Sequence, residues 1–210
     1  MPKRSRTSGS GRRPPKAQAK AKAIAKNPFA ALLTAVRRDV DARLAGYLDE
    51  HLAAAKVFGP GMTEMVSALR DLTLRGGKRA RAALLVAGYR AANAEASLEP
   101  ALDAGVSLEL LHSYFLVHDD WMDRDETRRG GPSVHAALTR RLKSREKGEA
   151  SAILAGDYAV ALATEALSRV EVEPKRMSRV LGCFAEMQLA AVTGQQLDLL
   201  ANAADVEKVY

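Results

Sequence analysis

ELLHSYFLVHDDWMDRDETRRGG, residues Glu109 to Gly131, organises the rest of this chain. An apolar run of helical spacing ends in three carboxylates, Asp119, Asp120 and Asp123, and two arginines follow at Arg128 and Arg129. On a helix, Asp119 and Asp123 stand one turn apart on one face, with Asp120 beside them. Like charges at that spacing cost roughly 0.2–0.5 kcal/mol per pair. The negative end of the helix dipole adds roughly 0.3–1 kcal/mol for each carboxylate placed there. A chain that accepts both penalties gains something from the cluster, and binding of a hard cation such as Mg²⁺ is the obvious gain.

The rest of the composition supports a helical chain with a charged leader. The 210 residues suffice for one domain with a substantial core, and abundant Ala favours helix. The net charge of +7 is unevenly placed. Residues 1–26 hold nine Lys or Arg and no acid, which leaves 23 basic against 25 acidic side chains in the remainder. The folded part is therefore near neutral, and the basicity gives little support to nucleic-acid binding. The leader is rich in Lys, Arg, Ser, Gly, Pro and Ala and is expected to be a disordered tail. Its Arg- and Ser-rich, acid-free composition also fits an organelle transit peptide, but it lacks the apolar segment of a secretory signal. Cys183 is the lone cysteine, which suits a reducing, cytoplasmic setting. No apolar run approaches a membrane span.

Periodicity predicts helices over 28–57, 62–74, 78–92, 98–123, 134–142, 150–169 and 174–202, with Gly59-Pro60-Gly61 and Gly76-Gly77 as breaks. Residues 127–131 and 144–149 read as loops, and 205–210 as the first turn of a further helix. No strand alternation appears. The expectation is an all-α antiparallel helix bundle with short connections.

Other segments carry polar groups at telling places. In Gly76–Arg81, GGKRAR, the glycines allow close backbone approach, and Lys78 and Arg81 lie three apart at a helix start. Free N–H groups there favour anions, so the segment suits a phosphate cradle, although GGKxxR alone also reads as a helix break with a solvated basic turn. His112 lies two turns before Asp119 on the same face, where it either donates into a pocket or is a hydrogen-bonded core residue. Tyr114 and Phe115, just beneath Asp119, either plug an apolar tunnel or pack the core. Arg128 and Arg129 offer planar forks for phosphate oxygens, or a surface cluster with Asp123, Asp125 and Glu126. Gly156-Asp157 and Gly194–Asp198, with Gln195, place polar groups in apolar helices, which points to a polar-lined cavity or to satisfied interhelical contacts.

In this order the motifs resemble those of the trans-isoprenyl diphosphate synthases, or polyprenyl synthetases: GGKxxR, DDxxD followed by RRG, a GD pair, and GQxxD. The resemblance runs from about Pro28 to Tyr210, so residues 27–210 are expected to be the N-terminal part of a polyprenyl synthetase domain of the isoprenoid synthase type. It implies a short-chain, farnesyl- or geranylgeranyl-type enzyme that condenses isopentenyl diphosphate with an allylic diphosphate. Asp119 and Asp123 would hold Mg²⁺, and Arg128 and Gln195 would serve the allylic diphosphate. Lys78, Arg81, His112 and Arg129 would bind isopentenyl diphosphate. Tyr114 and Phe115 match the positions that set product length. No nucleophile or general base is required. The family resemblance implies a dimer, and a hetero-oligomer with another synthase chain is the other arrangement considered.

Two departures stand out. Ala82 replaces a proline frequent after GGKxxR, and the family's second aspartate-rich motif and C-terminal helices lie beyond Tyr210. The expectation is that this chain alone turns over little. A class I terpene cyclase is disfavoured by the GGKxxR segment, since it needs no second diphosphate site. A non-catalytic subunit is disfavoured by the intact first aspartate motif.

Overall fold

The computed structural model describes residues 28–200, so the tail and the final turn expected from the sequence lie outside the described residues. The chain divides into two units, Met1–Leu167 and Ser168–Tyr210, each taken by itself. The first holds α1 (Pro28–Ala55), a 3₁₀ turn (Lys56–Phe58), α2 (Pro60–Leu74), α3 (Ala80–Ala92) and α4 (Glu99–Met122). It continues with strands β1 (Thr127–Arg128) and β2 (Gly131–Pro132), then α5 (Val134–Leu142) and α6 (Arg145–Ser168), whose last residue falls across the division. The second unit contains α7 (Pro174–Leu200). The all-α reading stands.

Val36, Val40, Leu44 and Leu48 recur every fourth residue along α1 and are all buried, so one stripe of that helix faces the core. Gly59, at φ +97°, turns the chain, and Pro60 starts α2 where its missing N–H costs nothing. The centre is α4, buried from Ala101 to Asp120 and packed against α1, α2, α3 and α5. A Cβ added at Gly105 would lie 3.2 Å from Ala82 Cβ and 3.4 Å from Val40 Cγ2, so α1, α3 and α4 meet there. Ala82 is fully buried at this crossing, which shows what the residue in place of proline does.

Several polar groups inside the unit are paired. Ser113 Oγ donates to the Glu109 carbonyl (3.0 Å), and Thr73 Oγ1 lies 3.0 Å from Ser113 Oγ. Ser107 Oγ donates to the Ala163 carbonyl of α6 (2.7 Å). Tyr47 on α1 donates to Glu165 (2.7 Å) with its hydroxyl 3.0 Å from the Leu162 carbonyl, and the His51 ring lies tilted beside it. Burial and the nearby Glu165 raise the Tyr158 phenol above its ordinary pKa.

Three expectations need correction. Residues 145–149 are helical, because Ser144 Oγ accepts the Lys147 N–H and Arg145 pairs with Glu149 one turn on (2.7 Å). Gly148 lets that turn approach α5, since a Cβ would fall 2.4 Å from the Thr139 nitrogen. Residues 127–132 form a two-stranded antiparallel hairpin. Finally, α6 is long and apolar enough to cross a membrane by length and composition alone. Its contacts with Tyr47 and Ser107 mark it as a core helix of this unit.

Candidate active site

At the C-terminal end of α4 the chain stops being helical at Asp123, whose N–H still bonds to the Asp119 carbonyl (2.9 Å). The hairpin follows, turning through Arg129 (φ +53°) and Gly130 (φ +74°). Two consecutive positive-φ residues are what a tight hairpin turn with native twist requires. The turn folds Arg128 back onto the carboxylates. Its Nε donates to Asp120 Oδ1 (2.5 Å), and its Nη2 reaches Asp119 Oδ2 (3.2 Å) and Asp125 Oδ2 (3.3 Å). Arg128 thus joins the aspartate cluster, with Asp120 as its main anchor and Asp125 as a further partner, while Glu126 meets Arg140 instead (3.9 Å).

Asp120 is completely buried, and its second carboxylate oxygen has no hydrogen-bond partner. Burial raises its pKa above the ordinary carboxylate value, the hydrogen bond from Arg128 opposes this, and Asp119 and Asp125 add to the rise. The same hydrogen bond raises Arg128. Among the described residues no three His, Cys, Asp or Glu side chains converge as a ready metal cage.

The basic side is built on a glycine turn. Gly76 (φ +96°), Gly77 (φ +135°) and Arg79 (φ +49°) take the left-handed region in near succession, and α3 begins at Ala80. Lys78 therefore lies in the turn and only Arg81 on the helix, which corrects the expectation that both sit on one helical face; both are exposed. Arg79 points the other way. It is buried, donating from Nε to Asp41 Oδ1 (2.7 Å), from Nη1 to Glu109 Oε2 (2.9 Å) and from Nη2 to the Thr73 carbonyl (2.7 Å). Sequence reading missed this residue, although a basic side chain between two candidate binding residues, with acids on the neighbouring helices, was the available signal.

Arg129 reaches this turn from the hairpin and donates to the Gly76 carbonyl (2.8 Å). Around His112 the positive charge gathers: burial first, then Arg81, Arg129, Arg79 and Arg128, lower its pKa to about 4. The imidazole is neutral at neutral pH and retains one N–H to donate. Burial, then Arg79, lowers Arg129 too. Arg81 and Arg129 thus bring positive charge to neutral His112, and the hairpin that carries Arg129 also carries Arg128 to the aspartates.

Below Asp119, the rings of Tyr114 and Phe115 lie 4.8 Å apart, and Tyr114 meets His118 edge-on at 4.8 Å. His118 Nε2 lies 3.2 Å from the Ile153 carbonyl, and a Cβ at Gly156 would come within 2.6 Å of its ring. Gly156 is therefore a packing glycine that admits His118, and Asp157 sits 3.7 Å from that ring. Gln195 lies on α7, in the second unit.

The family model described as polyprenyl synthetase matches residues 62–210. A geranylgeranyl diphosphate synthase of Methanosarcina mazei is 40% identical over 136 residues, covering 65% of this chain and 39% of that protein. A short chain isoprenyl diphosphate synthase of Methanocaldococcus jannaschii is 36% identical over 152 residues, covering 72% and 42%. The crystal structure of geranylgeranyl pyrophosphate synthase from Corynebacterium glutamicum, complexed with isoprenyl diphosphate and magnesium, superposes with a TM-score of 0.69 at 31% identity. That match covers 80% of this chain and 51% of that one. The chain spans about two fifths of the length of these curated relatives.

Proposed function

The chain belongs to the polyprenyl synthetase family, and on that premise we propose that it carries the diphosphate-binding face of a prenyltransferase. The substrates are isopentenyl diphosphate and an allylic diphosphate, and the product is a longer prenyl diphosphate. The observation that carries this reading is the hairpin, which sets Arg128 among Asp119, Asp120 and Asp125 and sets Arg129 against the Gly76 turn. An acidic and a basic group are thereby joined by two adjacent residues, as a reaction between two diphosphates requires.

Lys78, Arg81 and Arg129 bind the diphosphate of isopentenyl diphosphate, and neutral His112 donates a hydrogen bond without adding to the local charge. Arg128 steadies the allylic diphosphate. Asp119 and Asp123 are the carboxylates that would hold Mg²⁺. A cation that keeps several waters and binds through one or two carboxylates plus substrate phosphates fits a site without a closed protein cage. When bound, the ion supplies neutralisation of charge on the leaving diphosphate. Arg128 adds fixed positive charge where the allylic C–O bond breaks, which favours charge separation. The double bond of isopentenyl diphosphate attacks the allylic cation, and the proton lost passes to the released diphosphate. Tyr114 and Phe115 form the apolar floor that limits product length and excludes water. A homodimer, or assembly with another synthase chain, and a cytoplasmic setting belong to the same proposal, the latter supported by the lone cysteine.

The test is calorimetric titration of the purified chain with isopentenyl diphosphate, and with geranyl diphosphate in the presence and absence of Mg²⁺. Arg81→Ala should weaken the first by about tenfold, the order expected for a lost charged hydrogen bond. Asp119→Ala should remove the Mg²⁺ dependence of the second. No binding of either diphosphate would overturn the reading.

A further inference from the structure

Arg75 and Arg129 bridge the end of α2 and the hairpin in both directions. Arg75, which closes α2, donates from Nη1 to the carbonyls of Pro132 (2.8 Å) and Arg128 (3.1 Å). In return Arg129 of the hairpin donates from Nη1 to the carbonyl of Gly76 (2.8 Å) and lies 3.4 Å from that of Leu72. Each guanidinium satisfies backbone acceptors in the segment that carries the other. Gly131 shows how close the approach is, since a Cβ there would lie 2.5 Å from the Arg75 guanidinium carbon. Unlike Gly130, Gly131 does not take a positive φ, so its backbone would accept alanine, and the nearest atoms a Cβ would meet all belong to the Arg75 guanidinium.

We propose that Arg75 is a positioning residue for diphosphate binding, holding the hairpin so that Arg128 and Arg129 are presented as a preformed pair. The proposal rests on the diphosphate reading above. A hairpin of two-residue strands is marginal by itself. Without a tether, the ordering of two long side chains and a strained turn would be deferred to the binding step and subtracted from affinity. Arg75 acts through the hairpin backbone, because both hydrogen bonds of its Nη1 go to carbonyls of the segment that carries Arg128 and Arg129.

The experiment compares the full chain with Arg75→Ala, Arg75→Lys, Gly131→Ala and the double variant Arg75→Ala/Gly131→Ala. Hydrogen exchange over 127–133 reads the clasp, and calorimetric titration with isopentenyl diphosphate reads its consequence. Arg75→Ala should speed exchange in the hairpin and weaken binding by about tenfold, the effect of losing charged hydrogen bonds. Arg75→Lys should recover most of the affinity, since an ammonium can still donate to both carbonyls. Gly131→Ala should mimic Arg75→Ala, yet add nothing once Arg75 is gone. Wild-type affinity in Arg75→Ala, or a further loss in the double variant, overturns the proposal and leaves the diphosphate reading intact. A wild-type chain that binds no diphosphate overturns both, whatever the exchange shows.

Discussion

Arg79→Ala should be among the most damaging single substitutions in this chain, although Arg79 faces away from the site. Its side chain is 1% exposed and that of Glu109 3%. Truncating the arginine leaves the Glu109 carboxylate buried without the cation that hydrogen-bonds it. Stranding a buried charge in this way costs about 3–5 kcal/mol. For a chain of this size that corresponds to about 6–20 °C in the unfolding midpoint. Glu109→Gln is a milder change, because Arg79 keeps Asp41 at 2.7 Å and the Thr73 carbonyl at 2.7 Å. Its cost should be about 1–2 kcal/mol, the loss of one charged hydrogen bond. The informative variant is Arg79→Ala/Glu109→Gln. It buries no uncompensated charge, so it should recover about 1–2 kcal/mol relative to Arg79→Ala. Urea unfolding followed by circular dichroism measures all three. A loss below about 1 kcal/mol in Arg79→Ala, or a double variant no more stable than it, would refute the reasoning.

Acid stability should report on His112. Its folded pKa of about 4 lies below the ordinary value of 6.5, so between those pH values the unfolded chain takes up a proton that the folded chain refuses. Stability from this group is complete above about pH 6.5 and declines as pH falls towards 4. Allowing for partial solvent screening, about 1–2 kcal/mol should be lost between pH 7 and 5. His112→Gln should remove that part of the slope, and an unchanged slope would contradict it. Gly148→Ala should cost about 1–3 kcal/mol by forcing α5 and α6 apart, because a Cβ there meets the Thr139 backbone at 2.4 Å. A wild-type unfolding midpoint would show that the helices separate freely.

Periodicity located every helix of the bundle because an amphipathic or fully buried helix must repeat apolar residues at its own pitch. It lost residues 145–149, where the stabilising features are a serine cap, an ion pair and a glycine contact, all polar or small. It also passed over the hairpin, whose two-residue strands are too short to alternate. The same limit applies to GGKRAR, in which neighbouring basic residues look alike as letters. Burial alone divides them into Lys78 and Arg81 outside and Arg79 inside.

The aspartates, the glycine turn and the paired arginines were legible as chemistry in the sequence, because charge repulsion and positive-φ glycines are local properties. Which carboxylate would anchor Arg128 was not. Asp119 and Asp120 are adjacent and chemically identical, and only the packing of α4 buries one completely while leaving the other in reach of solvent. Asp120 thereby becomes the arginine's anchor. Nor could the sequence show that Arg75 and Arg129 exchange backbone contacts, since that depends on where a hairpin and a helix end 53 residues apart come together. Local spacing determined the kinds of groups in this cluster, and tertiary burial decided which of them pair with one another.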